Sequence, residues 1–309
     1  MILVITHKED FTADIVINKL NQGGHKYFRL NTEDILNPNQ FLISFDGDEL
    51  FHSLNGIESF SSVWFRRVML PVIEGQSKPK KDFLKNEVYA LFSNLWEIID
   101  ARWMSIPHNV YRAENKLLQL RHAQTIGFNI PKTLLTISNE KIREFYDDCE
   151  NKIIIKPLMN SHIMTEDGSD QAIFSNLLKK EDLDALEEFA PMPFILQKYI
   201  EKKDEVRVTV VHEKVFAAAV DSQASLDSSI DWRRKPSKFV QIQLPVEIED
   251  KCLRIVRNLN LEFGAIDLIR TPSGNYVFLE INPNGQWGWI EFDTGMQISD
   301  AVVEFLISK

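Results

Sequence analysis

The segment FLEINPNGQWGWIE, Phe278 to Glu291, restricts what this chain can fold into more than any other stretch, because Glu280 and Asn282 stand two apart in an apolar run. Residues i and i+2 of a strand share a face. Two hard oxygen ligands therefore leave one side of a strand in which Phe278, Leu279 and Ile281 read as positions built for burial. Upstream, GAIDLI (Gly264 to Ile269) sets a lone carboxylate, Asp267, in a second apolar strand, and RTPSGN between the two reads as a hairpin turn. Pairing the strands would gather Asp267, Glu280 and Asn282. Mg²⁺ takes one or two carboxylates together with phosphate oxygens and water, so this set suits Mg²⁺ holding a polyphosphate. A plainer account exists for each residue: strand-end carboxylates cap turns, and Asn-Pro-Asn-Gly is turn chemistry on any fold. Asp267 alone is better read that way. Three oxygen ligands in adjacent apolar strands favour a metal, although the spacing names no enzyme.

A chain of 309 residues exceeds one small core and implies two or three structural units. Its net charge of −10 argues against nucleic acid as a partner, which would need a basic patch. Cys149 and Cys252 lack CxxC or Cys/His spacing and read as packing residues in a reducing compartment. The start, MILVITHKED, reads as a buried strand rather than a signal peptide, and no apolar run is long enough to span a bilayer. A cytoplasmic protein is expected. With neither GxxxxGK[ST] nor GxGxxG present, a nucleotide would need another kind of cradle.

Along the first hundred residues strand and helix signals alternate: ILVIT, a helix from Asp10 to Leu20, a strand from Lys26, a hairpin around Gly47-Asp48, then SVWF. A long amphipathic helix follows, with Phe83, Val88, Leu91, Phe92, Leu95, Trp96, Ile98 and Ile99 on its apolar side. After Pro107 a helix from Tyr111 to Ile126 is expected, then a strand from Thr133, a helix from Ser138 and a strand ending at Lys156. From Phe194 strands dominate (FILQKYI, EVRVTVV, KVFAAAV, KFVQIQL), interrupted by a helix from Glu247 to Leu259 and closed by one from Met296 to Ile307. These patterns imply an α/β unit over 1–108, a small α/β unit over 109–193 and a largely antiparallel unit over 194–309. The polar stretch Ser222 to Ser237 reads as an active-site loop.

Further candidates are basic. Lys116 follows Asn115 on a helix, and read alone it fits a solvated lysine slightly better than a ligand. Lys156 ends the aliphatic strand KIIIK, where an anion partner and simple snorkelling explain it equally well. LQKYI followed by EVRV is a strand, an acidic turn and a strand; such a crossing can offer backbone groups to an adenine edge and Glu205 to ribose hydroxyls. Arg207, alternating with Val206 and Val208, would face a cleft and bind phosphate or carboxylate, with an exposed Glu205–Arg207 pair as the commoner alternative. Arg66 and Arg67 in WFRR, and Arg233 and Arg234 in DWRR, fit anchors for substrate carboxylate or phosphate, against surface ion pairs. The seven histidines form no HxxxH or His/Cys cluster, and no GxSxG occurs.

Taken in order, Lys116, Lys156, LQKYI, Glu205, Arg207, Asp267 and the Glu280-Ile281-Asn282 triplet resemble the ATP-grasp superfamily, in the manner of ribosomal-protein glutamate ligases, over roughly residues 110 to 309. The resemblance implies an ATP-grasp fold preceded by an N-terminal α/β pre-ATP-grasp domain, with ATP held between two α+β units. It assigns Lys116 and Lys156 to ATP phosphates and adenine, Gln197, Lys198, Tyr199 and Ile200 to the adenine edge, and Glu205 to ribose. It further assigns Arg207 and Arg233 to phosphate or acyl phosphate, and Asp267, Glu280 and Asn282 to two Mg²⁺ ions. The strings VWFRR, VFAAAVDSQ, DWRR, NPNGQW and TGMQIS are similar to microviridin-type graspetide maturases across nearly the whole chain. One departure is the loop 157–170, which has a single glycine, Gly168, where many ATP-grasp enzymes have several.

Such maturases imply activation of a precursor-peptide Asp or Glu carboxylate as an acyl phosphate. A Ser or Thr hydroxyl, or a Lys amine, of the same peptide then attacks, closing a macrolactone or macrolactam. Resemblance also implies a leader-peptide site near the hairpin Val206 to Asp221 and its neighbouring helix, and a homodimer. Two alternatives remain: a carboxylate–amine ligase adding an amino acid to a peptide or protein, and a non-catalytic ATP-grasp homologue that only binds peptide or nucleotide.

Overall fold

The computed structural model describes residues 1–158, 162–164, 170–172, 175–184, 186, 193–224, 230, 232 and 237–308. The uninterrupted apolar run Ile2–Thr6 forms β1, buried along its length. Asp10 then caps α1 (Phe11–Gln22), its carboxylate accepting from the amides of Thr12 and Ala13. β2 (Tyr27–Asn31), the hairpin strands β3 (Phe41–Asp46) and β4 (Glu49–Leu54), β5 (Ser62–Phe65), the long helix α2 (Lys78–Ile98) and β6 (Arg102–Met104) complete the first unit. Four strands make a parallel sheet in the order β2-β1-β5-β6. Parallel sheets are covered on both faces. Here Leu3 and Ile5 enter one core with α2, while Ile2 and Val4 enter another with α1.

The second unit runs through α3 (Pro107–Ala113), α4 (Lys116–Ile126), β7 (Thr133–Thr136), α5 (Asn139–Asp148), β8 (Ile153–Pro157), β9 (His162–Met164), β10 (Asp170–Ala172), β11 (Asn176–Leu177), α6 (Lys180–Asp184) and β12 (Phe194–Lys198). Its antiparallel sheet, β11-β8-β12-β7, packs on α5 through a small core of Ile142, Phe145, Tyr146, Ile153 and Leu196. The third unit holds β13 (Asp204–Val211), β14 (Lys214–Val220), β15 (Val240–Gln241), α7 (Val246–Asn258), β16 (Phe263–Arg270), β17 (Tyr276–Asn282), α8 (Gly288–Thr294) and α9 (Ile298–Ile307). Its antiparallel sheet has the order β15-β14-β13-β16-β17.

That sheet is two-faced by strand alternation. Val206, Val208, Ile266, Leu268, Phe278 and Ile281 enter the core shared with α4, α7 and the first unit. Val211, Ala218, Phe263 and Ala265 enter the core shared with α1 and α9. Polar residues occupy one end of this second face.

Four local expectations change. The helix expected from Tyr111 to Ile126 is two helices, because Asn115 leaves the helical path and caps α4, its side chain accepting from the Leu118 amide at 3.0 Å. Phe83 is 62% exposed, since only the later turns of α2, from Val88 onward, lie over the sheet. KFVQIQL pairs only at Val240–Gln241. Leu279 is not buried like its neighbours but half-exposed. Of the expected loop 222–237, only Ser222, Gln223, Ala224, Ile230, Trp232, Ser237 lie within the described residues, and most of 157–170 lies outside them. Among the described residues no helix is long and apolar enough to cross a membrane.

Candidate functional site

β16 and β17 pair antiparallel, with Ala265 opposite Asn282, Ile266 opposite Ile281 and Asp267 opposite Glu280. The next pair is Leu268 with Phe278, so Leu279 is an extra residue, a β-bulge. This settles a conflict hidden in the sequence. Phe278 and Glu280 are also two apart, and an uninterrupted strand would put both on one face. The bulge reverses the alternation: Phe278 turns into the core, fully buried, while Glu280 and Asn282 share the opposite face with Asp267. Leu279 joins the wall of the pocket there.

The edge of β17 is held by a side chain. Gln119 on α4, 3% exposed, accepts from the Ile281 amide at 3.0 Å and donates to the Ile281 carbonyl at 2.9 Å, standing in for a further strand. One turn earlier on that helix, Lys116 lies 3.7 Å from Glu280 and donates to the Pro157 carbonyl at 3.2 Å. One lysine thus spans from the end of β8 to the end of β17.

On β13 Glu205 and Arg207 share the polar face, as alternation requires, but neither is exposed. Arg207 is 7% exposed and donates through Nη1 to both oxygens of Asp267, at 2.8 and 2.7 Å. Asn282 Nδ2 donates to Asp267 Oδ2 at 3.3 Å. Glu205 pairs instead with Lys202, whose ammonium lies 2.7 Å from Glu205 Oε1 and also donates to the Ile230 carbonyl at 3.0 Å. The surface-pair alternative for Glu205 and Arg207 therefore does not hold.

These groups surround one pocket between the second and third units. Lys116, Lys156, Gln197, Lys198, Tyr199 and Ile200 line one side. Glu205, Asp267, Glu280 and Asn282 line the other, with Lys202 and Trp232. Gln197 is 3% exposed, and its Oε1 is buried without a hydrogen-bond partner, an acceptor suited to an amino group. Lys198 turns its ammonium outward to Glu150 at 2.7 Å. The donor set fits Mg²⁺: two carboxylates facing each other across paired strands, one amide oxygen beside them, and room for phosphate.

The arginine pairs divide differently. Arg66 is 1% exposed, bonded to Asp10 at 3.2 and 3.3 Å and to the Gly285 carbonyl at 3.5 Å. Its guanidinium also lies over the Trp64 ring. With so little exposure it serves as an internal brace rather than the expected substrate anchor. Arg67 is exposed, and its guanidinium pKa is lowered by desolvation of its inner part and by Arg66. Arg233 and Arg234 lie outside the described residues.

A RimK-like ATP-grasp domain model matches residues 113–306. The chain belongs to the RimK-like ATP-grasp family. An MvdD pre-ATP grasp domain model matches residues 1–110, so this ATP-grasp ligase carries an N-terminal pre-ATP-grasp domain. The ligase is similar to a RiPP-associated ATP-grasp ligase of Chryseobacterium gregarium, solved with ADP and a leader and core peptide. That likeness has a TM-score of 0.88 at 29% identity, over 99% of this chain and 96% of the other. The macrocyclase MdnB from Microcystis aeruginosa MRC is similar at 31% identity and TM-score 0.82, over 100% and 99%. The alpha-aminoadipate–LysW ligase LysX of Sulfurisphaera tokodaii is 23% identical over 225 residues, covering 70% of this chain and 74% of the relative.

Sequence reading missed Lys202, Gln119 and the bulge at Leu279. EKKDE reads as an acidic solvated turn, and nothing local marks its first lysine as buried. For Gln119 the available signal was a polar residue on the apolar side of a helix, at the spacing of Leu120 and Ala123.

Proposed function

We propose that this ATP-grasp ligase closes side-chain rings in a ribosomally made precursor peptide whose core carries Thr or Ser and Asp or Glu. The observation that carries the reading is the single pocket where Lys116, Lys156, Gln197, Glu205 and the Asp267–Glu280–Asn282 set meet. Similarity to peptide-bound and macrocyclase relatives through the N-terminal unit supports the substrate class.

In this reading Gln197 to Ile200 border the adenine, Glu205 takes the ribose, and Lys116 and Lys156 neutralise phosphate. Asp267, Glu280 and Asn282 hold Mg²⁺, two ions in our proposal, which supplies charge neutralisation for the transferring phosphoryl group. A peptide carboxylate oxygen attacks the γ-phosphorus, ADP leaves, and a mixed anhydride forms. A hydroxyl or amine of the same peptide adds to the acyl carbon. Collapse expels phosphate, which takes the proton, leaving an ester or amide. Arg207 acts through Asp267, fixing both carboxylate oxygens, and Arg233 is proposed to face the acyl phosphate. Preorganised charges of this kind are the main lever in phosphoryl and acyl transfer. We further propose a homodimer in the cytoplasm, with the leader bound near the β13–β14 hairpin.

The experiment is mass spectrometry of a co-encoded precursor after incubation with the enzyme, ATP and Mg²⁺. Loss of one water per ring with ADP release is expected. Mass gain from an added amino acid would instead establish a ligase acting in the manner of the LysX relative. No modification and no ADP release would overturn both.

A further inference from the structure

The turn that leaves β17 is wedged between the metal-candidate strands and the N-terminal unit. Gly285 has no room for a side chain: a Cβ there would lie 2.4 Å from Ala265 Cβ and 2.7 Å from Arg207 Nη2. Gly288, three residues on, is pressed from the opposite side, its Cβ position 3.1 Å from Ile15 Cδ1 and 3.3 Å from Thr12 Oγ1 of α1. Between them Gln286 accepts through Oε1 from the Thr12 hydroxyl at 2.6 Å, and its carbonyl takes a long bond from Arg207 Nη2 at 3.4 Å. Trp287 is fully buried in the core that joins α1 to the sheet. Arg66, locked to Asp10, reaches the Gly285 carbonyl.

We propose that Thr12, Gln286 and Arg66 are positioning residues for the metal site, holding the 285–288 turn so that Arg207 presents Asp267 to the cation. The N-terminal unit thereby sets the geometry of a site to which it contributes no ligand. The proposal rests on the Mg²⁺ reading of Asp267, Glu280 and Asn282. Groups that orient a ligand from behind change metal affinity typically 10–100-fold when removed. Loosening this turn acts on Asp267 and Asn282, and leaves the adenine side of the pocket, built on β8 and β12, as it is.

The test is ADP affinity of the full chain, with and without Mg²⁺, in Thr12→Val, Gln286→Leu and Arg66→Lys. Expected is an unchanged affinity without Mg²⁺ and an about ten-fold rise in the Mg²⁺ concentration needed for half of its effect. Hydrogen exchange of the 285–288 amides in the nucleotide-free protein should speed up in the same variants. Arg66→Lys, which keeps the charge, should be the mildest. Asp267→Asn is the reference and should abolish the Mg²⁺ response. If Asp267→Asn loses the response while Thr12→Val and Gln286→Leu keep it within about two-fold of the parent, below that range, the tether is overturned and the metal site stands. If Asp267→Asn keeps the response, the metal assignment falls and the tether with it.

Discussion

Two arginine–aspartate pairs meet the same turn from opposite sides, and they differ in burial. In Arg66–Asp10 the side chains are 1% and 0% exposed, whereas in Arg207–Asp267 they are 7% and 18% exposed. Asp10 also accepts from the Thr6 hydroxyl and from two amides at the start of α1. Burial alone would raise its pKa, but the charge of Arg66 and these hydrogen bonds outweigh that and hold it at about 2. Asp267 has Arg207 and Asn282 behind it and the pocket in front. The first pair is closed on itself; the second is open toward a ligand. Similar chemistry thus braces in one place and binds in the other, decided by what lies on the carboxylate's far side.

The most severe way to break this contrast is Asp10→Asn, which strands a buried guanidinium. A loss of about 3–5 kcal/mol is expected in urea denaturation; a loss comparable to that of a surface substitution would mean that Arg66 finds solvent or another partner. Asp267→Ala and Glu280→Ala should instead lower precursor turnover about 10²–10³-fold with the fold retained. Unfolding comparable to Asp10→Asn in these variants would erase the distinction between brace and site. Acid sharpens the contrast. A carboxylate with a depressed pKa contributes stability above its unfolded value and loses it as pH falls through its folded one. Asp10 should therefore contribute about 2 kcal/mol at pH 7, declining below about pH 4 toward pH 2, a slope that pH-resolved denaturation should find missing in Asp10→Asn. The smallest effect belongs to Lys198→Ala. Its ammonium faces Glu150 rather than the pocket, so ATP affinity should stay within about two-fold, and a larger drop would bring that side chain into the site.

Much of this organisation could be read from the chain. The β16–β17 hairpin follows from two apolar runs joined by the turn residues RTPSGN, and the shared face of Glu280 and Asn282 from the period of a strand. What escaped reading depends on distant partners. Arg66 looks like a surface arginine until Asp10 and Gly285 are brought to it from 56 and 219 positions away. Lys202 looks solvated until Glu205 folds beside it under the Ile230 carbonyl. Gln119 sits on an apolar helix side because its target is the edge of β17 at Ile281, which no local pattern announces. Leu279 escaped for another reason: a bulge is a property of the register between two strands, and the sequence of one strand does not encode it.

The strand that carries Glu280 and Asn282 is sensitive to length in a way it is not to composition. Deleting position 279 would only regularise the strand, with Phe278 and Glu280 still on opposite faces. Deleting position 281 would leave every proposed ligand in the chain and every helix intact, yet put Glu280 and Asn282 on opposite faces. Enzyme and inert look-alike on this scaffold would then differ by one codon of spacing, and a comparison that scores matching residues while ignoring gaps would count them as the same protein.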